Sequence, residues 1–215
     1  MDKKDIIQAF KKLKKDSKSR NFVQSVDMVI TLRDINMKSS DEQVDFFTTL
    51  HNPMNKKKSV CALVGLELAE ECEKVCDFTV TQKDFEVYKD KTKVKNLARN
   101  YDFFIAQGSL MSDVASIFGR YLGPRGKMPN PKIGAVVASS SQIKPLYDKL
   151  QKTLHVTAKK QPVVHTMVGK EDMTPEEIAD NAVYLYNQLL HNLPKEHDHV
   201  KDIYLKLTMS KPTKI

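Results

Sequence analysis

The hydrophobic rhythm of the chain changes twice, and those two changes constrain how it can be divided into folding units. Near the start, Ile6, Ile7, Phe10 and Leu13 recur at helical spacing with lysines on the other face, which predicts an amphipathic helix. Phe22 to Leu32 is rich in β-branched residues and predicts a strand; the polar stretch from Arg33 to Gln43 predicts a loop, and Val44 to His51 a second strand. His51-Asn52-Pro53 and then Asn55-Lys56-Lys57-Lys58 break the pattern, so a domain boundary is placed near residues 53 to 58. Strands then alternate with helices: the apolar run 59 to 64, a helix through Leu66 to Lys74, the β-rich Phe78-Thr79-Val80, a polar helix near 82 to 99, a buried strand from Tyr101 to Ala106, and a helix opening at Ser109 with Val114, Ile117 and Phe118 on one side.

After a helix at 142 to 152 the first style returns. Leu154 to Ala158 and Val163 to Val168, separated by Lys159-Lys160-Gln161-Pro162, have the layout of a hairpin. Thr174-Pro175-Glu176-Glu177 opens a helix running to Leu190, with Thr as N-cap, Pro at the first helical position and acids in the first turn. Ile203 to Thr208 alternates like a half-buried strand. The simplest topology inserts the α/β middle, residues 57–152, into an α+β domain built from both ends, 1–56 and 153–215. The terminal strand then pairs with Phe22 to Leu32, a long closure that is tolerated because loop entropy grows only logarithmically. Two linkers side by side make a natural hinge.

Charged residues make up 29% of the chain and the formal net charge is +8, gathered in patches, which points to an acidic partner and first to nucleic acid. The opening MDKKDIIQAF carries acids and reaches no signal-peptide run, and no stretch approaches the roughly 18 apolar residues of a membrane span, so the expected location is cytoplasmic with no membrane partner. Cys61, Cys72 and Cys76 contain no C-x-x-C pair. Cys72 and Cys76 share a helical face, but no histidine pair completes a zinc set, so they read as reduced packing residues, with no metal and no cofactor.

The densest motif is Leu122-Gly-Pro-Arg-Gly-Lys-Met-Pro-Asn-Pro-Lys132, eleven residues with Arg125, Lys127 and Lys132 and no acid. Its prolines predict a loop without regular structure, and its charge suits phosphate contact or, equally on spacing, a rigid solvent loop. It is not a Walker loop, because Gly123 and Gly126 are too close and Met128 follows Gly126-Lys127; no G-x-G-x-x-G follows any strand, and Gly65 stands alone. The six histidines form no hydrolase or metal pattern: His197 and His199 read as solvated, and His165 as a hydrogen-bonded histidine among apolar strand residues that also suits an RNA backbone oxygen. Basic clusters lie at Lys11 to Arg20, Lys56 to Lys58 and Lys159-Lys160, the first and last in one domain. Phe22, after Arg20-Asn21, suits either a base-stacking platform or the start of the core, and its pattern alone favours core.

The eleven-residue loop resembles the signature of the large-subunit ribosomal protein L-one family, in the form of its archaeal branch. Arg20-Asn-Phe-Val-Gln-Ser-Val26, His165-Thr-Met-Val-Gly-Lys170, Ala179-Asp-Asn181 and Leu207-Thr-Met-Ser210 extend the resemblance over essentially the whole chain. It implies a split β-α-β domain from the two ends and an inserted Rossmann-like three-layer α/β domain. It also implies a protein that is not an enzyme, binds large-subunit ribosomal RNA at the mobile stalk near the exit site, assists release of deacylated tRNA there, and represses its own messenger RNA. The expected partners are the ribosome and these RNAs, with the protein monomeric off the ribosome.

Carried over by position, the resemblance assigns RNA contact to Phe22, Ser25, Thr208 and Met209, with Ser210, Arg20, His165 and Lys170 around them, and tRNA contact to Arg125, Lys127 and Lys132. Ser210 stands where the family usually has Gly and Asp202 where it often has Ser; the first adds a side chain and the second a negative charge at the expected RNA surface. The competing reading is a Rossmann-type enzyme or small-molecule binder using the middle domain.

Overall fold

Strict alternation along β1 (Ser25–Leu32) organises the first unit: Val26, Met28, Ile30 and Leu32 are buried, while Ser25, Asp27, Val29 and Thr31 form the open face. The computed structural model describes residues 1–37, 39, 42–138, 142–159, 161–194 and 196–215. It divides into Met1–Lys56 with Lys152–Ile215, and Lys57–Gln151. Lys160 of the third basic cluster, and residues 38, 40 and 41 of the expected loop, lie outside the described residues.

In the first unit, β1 pairs antiparallel with β8 (Val163–Lys170) on one side and with β9 (Val200–Leu207) on the other; β10 (Thr213–Lys214) adds to the free edge of β9. The expected long closure of the terminal strand onto β1 is therefore observed. Two helices bury apolar faces in the same core: α1 (Lys3–Asp16) through Ile6, Phe10 and Leu13, and α6 (Pro175–His191) through Ile178, Leu185 and Leu189. The start of α6 is a capping box, in which the Thr174 hydroxyl accepts from the Glu177 amide and the Glu177 carboxylate accepts from the Thr174 amide. Asn181 on α6 has no exposed surface. Its amide accepts from the Asn52 N–H at 3.1 Å and donates to the carbonyls of Asn52 and Val168, so three backbone groups are satisfied at one side chain.

The expected hairpin does not form. β7 (Thr153–Ala158) pairs antiparallel with β2 (Val44–Thr49) in a separate two-stranded sheet, whereas β8 belongs to the sheet of β1. The Pro162 carbonyl in the connection is taken by the Leu32 amide, which draws the chain onto β1. On β7, His155 stacks on Phe47 across the strand pair at 4.2 Å and reaches the Asp45 carboxylate at 2.6 Å; Lys159 meets the same carboxylate at 2.5 Å. Burial alone would raise the Asp45 carboxyl, but these two partners outweigh it and hold it below the usual carboxylate range. His199, expected in solvent, is buried with Nδ1 3.1 Å from the Arg33 carbonyl.

The second unit is a parallel sheet in the order β4 (Phe78–Thr81), β3 (Val60–Val64), β5 (Phe103–Gln107), β6 (Val136–Val137). Every residue of β3 is buried, as a central parallel strand requires. Cys61 and Leu63 pack with Phe104, with Val94 and Leu97 of α3 (Lys91–Asn100), and with Val114 and Phe118 of α4 (Met111–Leu122). The helices α2 (Leu66–Val75) and α5 (Ile143–Lys152) bury Leu68 and Cys72, and Ile143, Leu146 and Leu150. The single helix expected near 82 to 99 is split into a 3₁₀ stretch, Gln82–Lys89, and α3, because Asp90 caps α3 by accepting from the Thr92 amide at 3.0 Å. The loop expected at 122 to 132 contains two 3₁₀ turns, Gly123–Arg125 and Pro131–Ile133. Pro124 takes the second position of its turn and Pro131 the first, where a missing N–H costs nothing, and Gly126 and Gly134 end them at φ 65° and 81°.

All three cysteines are free and buried, and burial pushes the Cys61 thiol up. Among the described residues no helix is long and apolar enough to cross a membrane, and no His, Cys, Asp and Glu side chains cluster as metal ligands.

Candidate nucleic-acid interface

The start of β1 and the end of β9 are locked together by residues that the resemblance singles out. The Ser25 amide donates to the Thr208 hydroxyl at 3.0 Å, and the Thr208 amide donates to the Ser25 carbonyl at 3.1 Å. Beside them lies Gln24, 1% exposed, a member of the Arg20 to Val26 motif to which the sequence assigned no role of its own. Its Oε1 accepts from the Met209 amide at 3.1 Å, its Nε2 donates to the Glu171 carboxylate at 3.3 Å, and its carbonyl accepts from the Glu171 amide at 2.9 Å. One buried side chain thus ties the entry to β1, the turn after β8 and the turn after β9.

On this rigid base stand exposed apolar side chains: Phe22 at 52%, Val23 at 51% and Met209 at 61%. The pattern-based preference for Phe22 in the core is thereby corrected. β1 begins at Ser25, so Phe22 precedes the alternation that would have turned it inward. Apolar surface held in water by a fixed backbone is the mark of a covering partner. Ser210 does not project into that surface: its hydroxyl accepts from the Leu207 amide at 2.8 Å and its amide donates to the Leu207 carbonyl at 3.2 Å. Among the described residues, positive φ outside glycine is confined to Asp34 and Asn55, so the backbone at Ser210 makes no demand for glycine.

The surroundings are cationic. Met209 and Ser210 border a cavity of about 460 Å³ whose wall includes Lys18, Arg20 and Lys211. Lys170 sits opposite Ser25 in the β1–β8 register. His165 sits further along, opposite Val29, and is exposed; alternation buries Val164, Thr166 and Val168 and turns His165 to the open face, so it is not a histidine of the core. On that face burial pushes the Asp27 carboxyl up, more than Lys206 and His165 pull it down. Asp202 is ion-paired with Lys214 of β10, and the hydrogen bond from Lys214 holds its carboxyl below the usual range. The charge expected to oppose RNA therefore has a cation from the last strand against it.

The family model described as the ribosomal protein L1p/L10e family matches residues 13–211. The chain belongs to that family. Its archaeal relatives include the large ribosomal subunit protein uL1 of Methanocaldococcus jannaschii, 35% identical over 217 residues with 100% of this chain and 96% of the relative covered. The protein of the same name from Thermococcus kodakarensis is 32% identical over 215 residues, covering 100% and 98%; that from Methanosphaera stadtmanae is 34% identical over 212 residues, covering 98% of each. Membership makes the chain a ribosomal protein and not an enzyme.

Within this L1-family chain, the three loop cations divide into two kinds. Lys127 turns inward, and its ammonium donates to the carbonyls of Ala98 and Tyr101 at 3.1 and 2.6 Å, capping the end of α3, where unpaired carbonyls and the helix dipole favour a cation. Burial pulls its pKa down. Arg125 reaches the Lys95 carbonyl at 3.3 Å but stays exposed, and Lys132 is exposed at the second turn. Between β3 and β5, where the strand order reverses, the Gly65 amide donates to the Gln107 side chain at 2.8 Å, and a Cβ on Gly65 would meet that same oxygen at 2.8 Å. The place where a Rossmann-type enzyme seats a phosphate is occupied by the protein's own glutamine.

Sequence reasoning missed Gln24, Lys211 and Lys214. Lys211 follows the Thr208-Met209-Ser210 motif directly, and Lys214 lies three residues further on; that adjacency is the signal in the sequence that marks them.

Proposed function

We propose that the unit formed by residues 1–56 and 152–215 binds large-subunit ribosomal RNA at the base of the mobile stalk, through Phe22, Ser25, Thr208 and Met209. The observation that carries this reading is the exposed apolar set, Phe22, Val23 and Met209, fixed by the Gln24 and Thr208 hydrogen bonds and bordered by Lys18, Arg20 and Lys211. Apolar side chains cover base and sugar faces, hydroxyls meet 2′-OH groups, and cations meet phosphates, a combination suited to the shape of folded RNA. The Asp202–Lys214 pair and the inward Ser210 hydroxyl support an RNA surface despite both departures from the family pattern.

The same surface is suited to a matching fold in the protein's own messenger RNA, and the protein works at the ribosome in the cytoplasm. Arg125 and Lys132 are the loop cations available to the tRNA leaving the exit site, with Lys127 holding their loop. The test is binding of the full chain to the stalk-junction segment of Methanocaldococcus jannaschii large-subunit RNA over a salt series. Binding that weakens steeply with salt, and that Thr208→Val and Met209→Ala each reduce by about tenfold, is expected. No binding at low salt, or indifference to both substitutions, overturns the reading.

A further inference from the structure

The cavity of about 460 Å³ beside Met209 adjoins the surface just described, between the end of α1 and the tail that follows β9. Its volume falls in the range of about 300–1,000 Å³ occupied by small-ligand sites. Three cations line it, Lys18, Arg20 and Lys211, against the single carboxylate of Asp16. Among the described residues none of these three cations is engaged in an ion pair or a side-chain hydrogen bond, unlike Lys127 in the signature loop. Leu13 and Met209 supply apolar wall, and Ser17, Ser210 and Thr213 line the remainder.

We propose that this cavity receives one unstacked nucleotide of the bound RNA. The proposal rests on the RNA-binding reading above and adds a subsite to it. The chemistry divides by wall. Guanidinium and ammonium groups take the phosphate, with Arg20 able to bind two oxygens at once. The Met209 thioether and Leu13 cover a base face, and Asp16 with the hydroxyls accepts from the ribose 2′-OH or an exocyclic amino group. Because Met209 belongs both to the cavity wall and to the proposed RNA surface, the nucleotide that enters is one whose neighbours in the strand are already held there.

The experiment replaces each loop nucleotide of the Methanocaldococcus jannaschii stalk-junction RNA in turn by an abasic residue and measures binding to wild type and to Ser17→Trp, whose indole fills the cavity. One abasic position is expected to weaken wild-type binding about tenfold and to leave Ser17→Trp binding, already reduced by a similar factor, unchanged. Equal losses in both proteins at every position, or Ser17→Trp binding as tightly as wild type, overturn the subsite while leaving RNA binding intact. Absence of wild-type binding to the unmodified RNA removes the underlying reading and the subsite with it. If Ser17→Trp lowers the melting temperature, Lys18→Ala/Lys211→Ala takes its place, with the abasic effect at that same nucleotide expected to shrink; an undiminished effect overturns the subsite. A free nucleoside monophosphate that binds as tightly as the RNA also overturns it.

Discussion

Replacing Gln24 tests whether one buried amide holds the RNA surface in place. In Gln24→Leu the Met209 amide loses its acceptor and the Glu171 carboxylate loses a donor. A part-buried backbone group left unpaired costs about 1 kcal/mol, and a bond to a charged group contributes about 1.5 kcal/mol at least, so a total of about 2.5 kcal/mol is expected. With a urea slope of about 2 kcal/mol/M, the midpoint of the unit falls by about 1.2 M. Gln24→Glu separates the two bonds: it keeps an acceptor for Met209 and sets a second carboxyl against Glu171. Burial and the neighbouring carboxylate raise the folded pKa of the new carboxyl above its unfolded value of about 4.3. Between those two values the folded state binds more protons than the unfolded one, so stability falls as pH rises through that window and stays low above it. Urea unfolding should therefore show Gln24→Glu close to wild type at pH 4 and well below it at pH 8, with Gln24→Leu equally weakened at both. A pH-independent deficit in Gln24→Glu, or a cost under about 0.5 kcal/mol in Gln24→Leu, refutes the reasoning.

Asn181→Leu removes three hydrogen bonds at a fully buried site and should cost about 3 kcal/mol or more in urea unfolding. Lys127→Met uncaps α3 and should lower the stability of the Lys57–Gln151 unit by about 1–2 kcal/mol, whereas Lys132→Ala should leave it within about 0.5 kcal/mol, as fluorescence-detected unfolding will distinguish. Lys214→Ala exposes the Asp202 charge on the open sheet face and should weaken RNA binding about threefold at low salt, with Asp202→Ser restoring it in the double variant. The Asp45 carboxyl is depressed by Lys159 and His155, so its contribution to stability is present above about pH 4 and is lost as pH falls through the lower folded value; in pH-dependent unfolding, Asp45→Asn should fall below wild type at pH 6 and converge with it near pH 2.

Much of the frame was legible because periodicity reports which face of an element is buried. Ile6, Phe10 and Leu13 announced α1, Thr174 with Glu177 announced α6, and the change of rhythm on either side of the parallel sheet was visible in the apolar run of β3. Periodicity does not report a strand's partner. β7 and β8 follow one another with a short connection between them, yet each finds a better edge elsewhere, β7 on Phe46 and Phe47, β8 on the whole length of β1. Nor does residue type report exposure where an element has not yet begun, which is why Phe22 looked like core. Gln24 sits inside the Arg20 to Val26 motif without announcing its own role, since that role comes from residues 147 and 185 positions away. Lys127 misled in the opposite sense: a Gly-Lys pair suggests a phosphate ligand, but the carbonyls at the end of α3 claim the ammonium first.

The separation of 183 residues between Ser25 and Thr208 sets an order of events during synthesis. A chain made from its N-terminus exposes β1 early, with neither of its neighbours yet in existence. The parallel sheet is complete in sequence before β8 and β9 appear, so that unit is free to fold while the edges of β1 wait unpaired. Closure over so long a stretch is slow compared with local helix formation. The Ser25–Thr208 bonds and the seat of Met209 are thus late products of translation, and a half-made copy of the chain has no finished surface with which to seize an RNA.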